Sequence, residues 1–202
     1  MIISPALEKL IQALTRFPGI GKKTAQRMAW YLVSQDKSFG LELAEIIKQT
    51  VENITTCSLC NMLSESDPCP FCTSSERTDS LLCVVESSAD IQIIENMNEY
   101  KGRYFVLGHL LSPIDGYGPE QIHSTQFLQA IERFHPQEVI LALKPSPEGE
   151  ATIHYLWELL KDKDIKVTRL STGLPIVTGK PHFYVLVNFV EHGSQFYESY
   201  VF

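Results

Sequence analysis

The sequence predicts an α/β chain in three parts: a helical N-terminal region, a small cysteine knuckle, and a mainly parallel sheet with flanking helices. Three observations point there. Apolar residues recur at helical spacing as far as Asn53. Four of the five cysteines then fall between Cys57 and Cys72 as two C-x-x-C pairs. From Leu81 onward short apolar runs alternate with amphipathic stretches, the pattern of strands joined by helices, and such alternation implies parallel strands covered by helices. At 202 residues, 44% hydrophobic and 20% charged, the chain has the composition of a soluble globular protein. No apolar run is long enough to span a bilayer. The start, Met1 to Pro5, lacks the basic region and small-residue cleavage site of a signal peptide, so a cytoplasmic address is expected.

The first helix is expected over Pro5 to Leu14, with Leu7, Leu10, Ile11 and Leu14 on its apolar face. Phe17-Pro-Gly-Ile-Gly21 stops it. A second helix runs from about Lys22 to Val33, with Ala25, Met28, Ala29 and Leu32 on one face. Helix, glycine-flanked turn, helix is a helix-hairpin-helix pattern. Gly19 and Gly21 let the backbone approach a phosphate and point N–H groups outward, and the following helix adds its positive end. Lys23 and Arg27 are four apart and share a face, with Lys22 beside them. Net charge is −7, which argues against indiscriminate nucleic-acid binding, yet Lys9, Arg16, Lys22, Lys23 and Arg27 lie in a stretch to Gln35 without one acid. One basic surface on an acidic body is implied, and the glycine-flanked turn fits a nucleic-acid backbone better than an ordinary helical turn. The spacing is not that of a P-loop. A third helix, about Gly40 to Asn53, offers Leu41, Leu43, Ala44, Ile47 and Val51 for packing.

Cys57-Ser-Leu-Cys60 and Cys69-Pro-Phe-Cys72 each turn two thiolates onto one point. Facing each other, Cys57, Cys60, Cys69 and Cys72 supply the four soft ligands of a closed tetrahedral Zn²⁺ site, and a closed site is structural. Disulfides fit an oxidising compartment that nothing here indicates, and a redox pair needs only one C-x-x-C. An iron–sulfur cluster uses the same ligands. Asp67-Pro68 and Pro70 favour the turns that bring the pairs together. Thr73 to Ser80 is polar and reads as a linker.

Leu81 to Val85 is a continuous apolar run, the mark of a strand buried on both faces, and Cys83 within it is a small buried hydrophobe. Ser87-Ser88 caps a helix reaching Asn98. Strands follow at Tyr104–Leu107, Val139–Leu143 and Ile165–Leu170, and helices from Pro119 to Phe134 and from Glu150 to Leu160. Functional residues of such sheets gather at the carboxyl ends of strands, here Glu86, Gly108 onward, and Lys144 to Glu150.

These residues resemble the RecR family of bacterial recombination proteins, and the sheet region resembles a Toprim domain. The matching strings are Phe17–Gly21 with Ala25-Gln-Arg-Met28, Leu111-Ser-Pro-Ile-Asp-Gly-Tyr-Gly-Pro119, Glu148-Gly-Glu-Ala-Thr152, and Val167-Thr-Arg-Leu170 with Gly173-Leu-Pro175. The resemblance covers Leu7 to Pro175. It implies residues 1–56 as a DNA-binding helix-hairpin-helix region, 57–80 as a four-cysteine zinc finger and linker, 81–175 as Toprim domain and 176–202 as a divergent tail. It implies a non-enzymatic DNA clamp, a homotetramer or dimer, that works with RecO, and with RecF where present. Together they load RecA onto single-stranded DNA covered by SSB protein. It also implies that RecO contacts the acidic region of Glu86, Glu148 and Glu150. The chain departs from the family pattern at Ser87, where a second acid is usual, at Lys144, and in the tail, whose apolar and aromatic residues favour a strand.

The alternative is a Toprim-type Mg²⁺-dependent nuclease or primase-like enzyme, whose metal is held by a glutamate and an Asp-x-Asp pair. The chain's Asp162-Lys163-Asp164 falls before a strand, at the wrong end of the sheet, and reads as a solvated turn. His109, His123, His135, His154, His182 and His192 show no ligand spacing and are assigned to surface or packing roles.

Overall fold

The structure is a computed structural model and describes residues 4–35, 37–170, 184–191 and 194–201. Its contacts divide the chain into two units, Met1–Ile54 and Thr55–Phe202. The first holds three helices, α1 (Pro5–Leu14), α2 (Lys22–Ser34) and α3 (Lys37–Asn53). Helical spacing puts Leu7 and Ile11 of α1 against Ala25 and Ala29 of α2, and these form a small core to which Leu10, Leu14 and Ile20 add. Two alanines let the helices approach closely. The packing expected of α3 is not found: none of its residues is buried, and Leu41, Ile47 and Val51 are more than half exposed. A core built between α1 and α2 leaves most of α3 uncovered among the described residues, although Tyr31 of α2 meets the Phe39 ring edge-on. Met28, expected on the apolar face of α2, is also exposed.

The second unit begins with a two-stranded hairpin, β1 (Thr55–Thr56) and β2 (Leu63–Ser64), and a one-turn helix α4 (Pro70–Thr73). The sheet elements follow: β3 (Leu81–Val85), α5 (Ser88–Glu95), β4 (Arg103–Val106), α6 (Ser124–Phe134), β5 (Glu138–Ala142), α7 (Pro147–Leu160), β6 (Lys166–Leu170), β7 (Tyr184–Glu191) and β8 (Ser194–Val201). The strand order is β4-β3-β5-β6-β7-β8. The first four are parallel, as the alternation predicts, and β7 and β8 add as an antiparallel hairpin. The tail expected to be a strand thus joins the same sheet through two. Gly173 to Pro175 and His182 and His192 lie outside the described residues.

Helices α6 and α7 pack on one face, where Leu82, Val84, Phe105, Leu107 and Leu141 meet Phe127, Ile131, Leu156 and Leu160. Each such fully buried side chain contributes about 1.5–3 kcal/mol. On the other face α5 lies over β3 and β4 through Ile91 and Ile94, with Cys83, Val85, Tyr104 and Val106 beneath. Because β4 and β5 flank β3, the chain reverses its direction of travel across the sheet between β3 and β5, and ligand crevices of open α/β sheets form at the carboxyl ends of such strands.

Three helix starts differ from expectation, and β4, β5 and β6 each start within one residue of it. Pro119 opens a turn, not a helix, because His123 takes a left-handed conformation (φ 54°) and α6 starts after it. Helix α7 begins at Pro147, before Glu150, since Ser146 caps it by accepting a hydrogen bond from the Gly149 amide at 3.1 Å. Helix α3 begins at Lys37 instead of Gly40. Ser87 does cap α5, and the Asp90 carboxylate accepts from both its amide (2.8 Å) and its hydroxyl (2.9 Å).

Candidate nucleic-acid interface and metal centre

In the first unit the turn between α1 and α2 closes by a hydrogen bond from the Ile20 amide to the Phe17 carbonyl at 3.1 Å. Gly19 takes φ +77° there, and the space where its Cβ would stand is open. Gly21 is the N-cap of α2 and supplies no side-chain acceptor, so the first amides of the helix keep their donors available. No acid lies in the first turn of α2. Lys22, Lys23 and Arg27 are exposed, and among the described residues none of the three forms an ion pair. The turn therefore gathers outward amides, a helix N-terminus and three cations.

In the second unit the two C-x-x-C pairs converge. Cys57 accepts from the Asn61 amide (2.9 Å) through its carbonyl and donates its own amide to Met62 (2.8 Å), which folds the first knuckle; Asn61 takes the left-handed conformation this needs. Cys69 opens α4, and the Cys72 amide returns to the Cys69 carbonyl at 3.0 Å. Asp67 joins the two, accepting from the amide and hydroxyl of Ser58 at 2.8 Å each, and these bonds hold its carboxyl below the usual range. The four Sγ atoms lie within 4.8 Å of one another, with Cys57–Cys72 at 3.9 Å and Cys60–Cys69 at 3.5 Å. A tetrahedral ion with metal–sulfur bonds of about 2.3 Å requires sulfurs about 3.8 Å apart, whereas a disulfide needs about 2 Å. The spacing fits the ion. Hydrogen bonds from Cys60 and Cys72 pull the Cys69 thiol down to about 2, while its bond to Cys69, the neighbouring Cys72 and burial push Cys60 up. Thiols crowded like this cannot all ionise alone, and a divalent cation held by the four would supply the missing positive charge.

The knuckle is fastened to the edge of the sheet. Val106 of edge strand β4 donates to the Cys60 carbonyl at 2.9 Å and accepts from the Asn61 side-chain amide at 2.7 Å. Arg103 donates to the Phe71 carbonyl and pairs with Asp79. Arg77 pairs with Glu95, donates to the Gly102 carbonyl at 2.9 Å and lies over the Phe71 ring. Both backbone groups of Val106, on an otherwise open strand edge, are thereby satisfied.

The three glutamates singled out in the sequence stand at the carboxyl ends of the parallel strands but do not converge. Glu86, after β3, pairs with Lys144 after β5 at 3.2 Å. Glu148, in the first turn of α7, is fully exposed, and a backbone amide, the Ser146 hydroxyl and Lys144 hold its carboxyl below the usual range. Glu150 turns to Arg169 of β6, on the α7 face. Among the described residues the cysteine group alone brings three or more metal-ligating side chains together. Asp162 and Asp164 lie in the turn before β6, at the opposite end of the sheet from Glu86. Cys83 is buried, and burial pushes its thiol up to about 12. His109 stacks on Tyr117 with ring centres 4.1 Å apart, and His154 packs near Trp157.

Sequence reasoning missed the fasteners. Arg77 and Arg103 are single cations in polar or strand-like stretches, and their partners are distant in sequence. Asn61 carried a readable signal, since an asparagine directly after a C-x-x-C pair suits a left-handed turn.

Family comparisons agree with this division of the chain. A RecR helix-hairpin-helix model matches residues 7–51, a RecR four-cysteine zinc finger model residues 54–74 and a Toprim model residues 80–171. The recombination protein RecR of Halorhodospira halophila is 42% identical over 175 residues, 87% of each chain. That of Legionella pneumophila is 43% identical over 170 residues, 84% of this chain and 85% of the relative. With these identities extending across helical turn, cysteine knuckle and sheet, the chain belongs to the RecR family of recombination proteins.

Proposed function

We propose that this protein is a non-enzymatic DNA clamp of recombinational repair. Its subunits bind single- and double-stranded DNA through Lys22, Lys23, Arg27 and the amides of Gly19 and Gly21. It acts in the cytoplasm with RecO, and with RecF where present, to load RecA onto single strands covered by SSB protein. The observation that carries the reading is the acid-free start of α2, with Lys22 and Lys23 exposed in its first turn, Arg27 exposed one turn on, and uncapped amides. One such turn makes few phosphate contacts, and an acidic chain needs several in register. A closed homotetramer or dimer supplies them. The uncovered apolar residues of α3, with Trp30, Tyr31 and Val33 of α2, support a second copy as their cover. Zinc on Cys57, Cys60, Cys69 and Cys72 is structural in this reading, because four thiolates leave it no open position. Glu86, Glu148 and Glu150 face RecO, not a catalytic metal. The test is a DNA titration with a Mg²⁺-dependent cleavage and synthesis assay on the same sample. Binding without product is expected; metal-dependent cutting or synthesis abolished by Glu86→Gln overturns it in favour of a Toprim enzyme.

A further inference from the structure

Among the described residues one surface of the sheet is left uncovered. Helix α5 covers β3 and β4, and α6 and α7 cover the opposite face. Between α5 and the neighbouring β5 and β6 a groove of about 290 Å³ is left at the carboxyl ends of the strands. Its walls are apolar: Ile94 and Met97 on the α5 side, Ile140, Ala142, Pro145 and Leu170 on the other. Ile93 stands on α5 at its lip, 53% exposed. The groove lies where the strand order reverses, between β3 and β5, the place where open α/β sheets receive ligands.

The charge around it selects the occupant. Glu86, Asp90 and Glu99 line the groove, and the sole cation among the described lining residues, Lys144, is already paired with Glu86. A phosphate or a nucleic-acid backbone meets net negative charge here. A basic polypeptide meets complementary charge and an apolar slot of a size for one large side chain. Anchors of this kind, an aromatic or long aliphatic group in a desolvated pocket ringed by polar contacts, carry most of the energy of an interface. Rim charge alone mainly sets encounter rate and salt dependence.

We propose that this groove receives one large apolar side chain from a basic segment of the partner protein, with Glu86 and Glu99 holding flanking cations. The proposal rests on the reading of Glu86 as a partner contact and adds what that reading lacks, an apolar determinant. The two part company when an acid is placed in the groove. For docking through charge alone, Ile93→Glu or Met97→Glu adds attraction to a basic partner and leaves binding unchanged or tighter. For an anchor in the groove, either variant puts a carboxylate where the apolar group must seat and weakens binding about thirtyfold, while Met97→Leu retains it.

The experiment is a calorimetric titration of purified RecO into wild type, Glu86→Gln, Ile93→Glu, Met97→Glu and Met97→Leu. Melting curves, native mass and DNA affinity are recorded on each sample. Ile93 is exposed, so its variant stays folded if Met97→Glu does not. Weakened binding in Glu86→Gln and Ile93→Glu, with wild-type DNA affinity and mass, is the expected result. Weakened Glu86→Gln beside unchanged or tighter Ile93→Glu overturns the anchor and keeps the partner surface. Wild type that fails to bind RecO overturns both. A change of native mass or DNA affinity in Ile93→Glu overturns the proposal by giving the groove to a second copy or to DNA.

Discussion

A Cβ on Gly149 would overlap the carbonyl oxygen of Lys144, so the first turn of α7 can sit against the end of β5 only with glycine there. Helix propensity alone favours alanine by about 1 kcal/mol. The overlap is with backbone, which cannot swing away, and overpacking of that kind costs about 1–3 kcal/mol. Gly149→Ala should therefore lower stability, with a reduced midpoint in urea, and should disturb the Lys144–Glu86 pair. Asn61 raises a second residue-scale question. It holds a left-handed turn and gives its side-chain amide to Val106. Asn61→Ala removes both, and a destabilisation of about 1–3 kcal/mol is expected from the strained conformation and the unmade bond. Asn61→Gly keeps the turn and should be less destabilised in the same denaturation series.

At the scale of elements, the knuckle and α3 behave differently. The knuckle has a core made mostly of its own cysteines, so a fold that depends on bound metal is expected of it. Cys57→Ser or Cys69→Ser should purify without stoichiometric zinc, by elemental analysis, and should lower the melting temperature because edge strand β4 loses its cover. Wild type carrying neither zinc nor iron would contradict this. Helix α3 has exposed apolar residues at helical spacing, and Ile47 and Val51 share a face. Ile47→Glu with Val51→Glu should leave the subunit folded and reduce its native mass. This is also where sequence reasoning stopped short. Period and caps located α1, α2, the parallel strands and the knuckle, because each is set by residues near in sequence. The same period gave Leu41, Ile47 and Val51 a packing role, yet among the described residues all three are exposed, since an apolar stripe does not say what it packs against. The late start of α6 was hidden in the same way: Pro119 suits a first turn, and only the conformation of His123 shows that the helix begins after it. Of the candidate sites, the four thiols and the basic turn were legible from local spacing. The pairing of Glu86 with Lys144 and of Glu150 with Arg169 was not, because it depends on which strands are neighbours.

On the scale of the whole molecule, charge is unevenly distributed along the sequence. The chain is acidic overall, with a net −7, yet the first helical turn of α2 carries only cations. DNA binding should therefore come from that turn and respond to salt through it. The most direct test is the salt dependence of DNA affinity for wild type and for Lys23→Ala with Arg27→Ala. Every phosphate left without its cation flattens the slope of log K against log salt by about 0.7 on single strands and about 0.9 on duplex. The double variant should bind all sequences more weakly, with slopes shallower by about 1.4 and about 1.8, and with unchanged native mass. Wild-type affinity and wild-type slope in that variant would contradict the account.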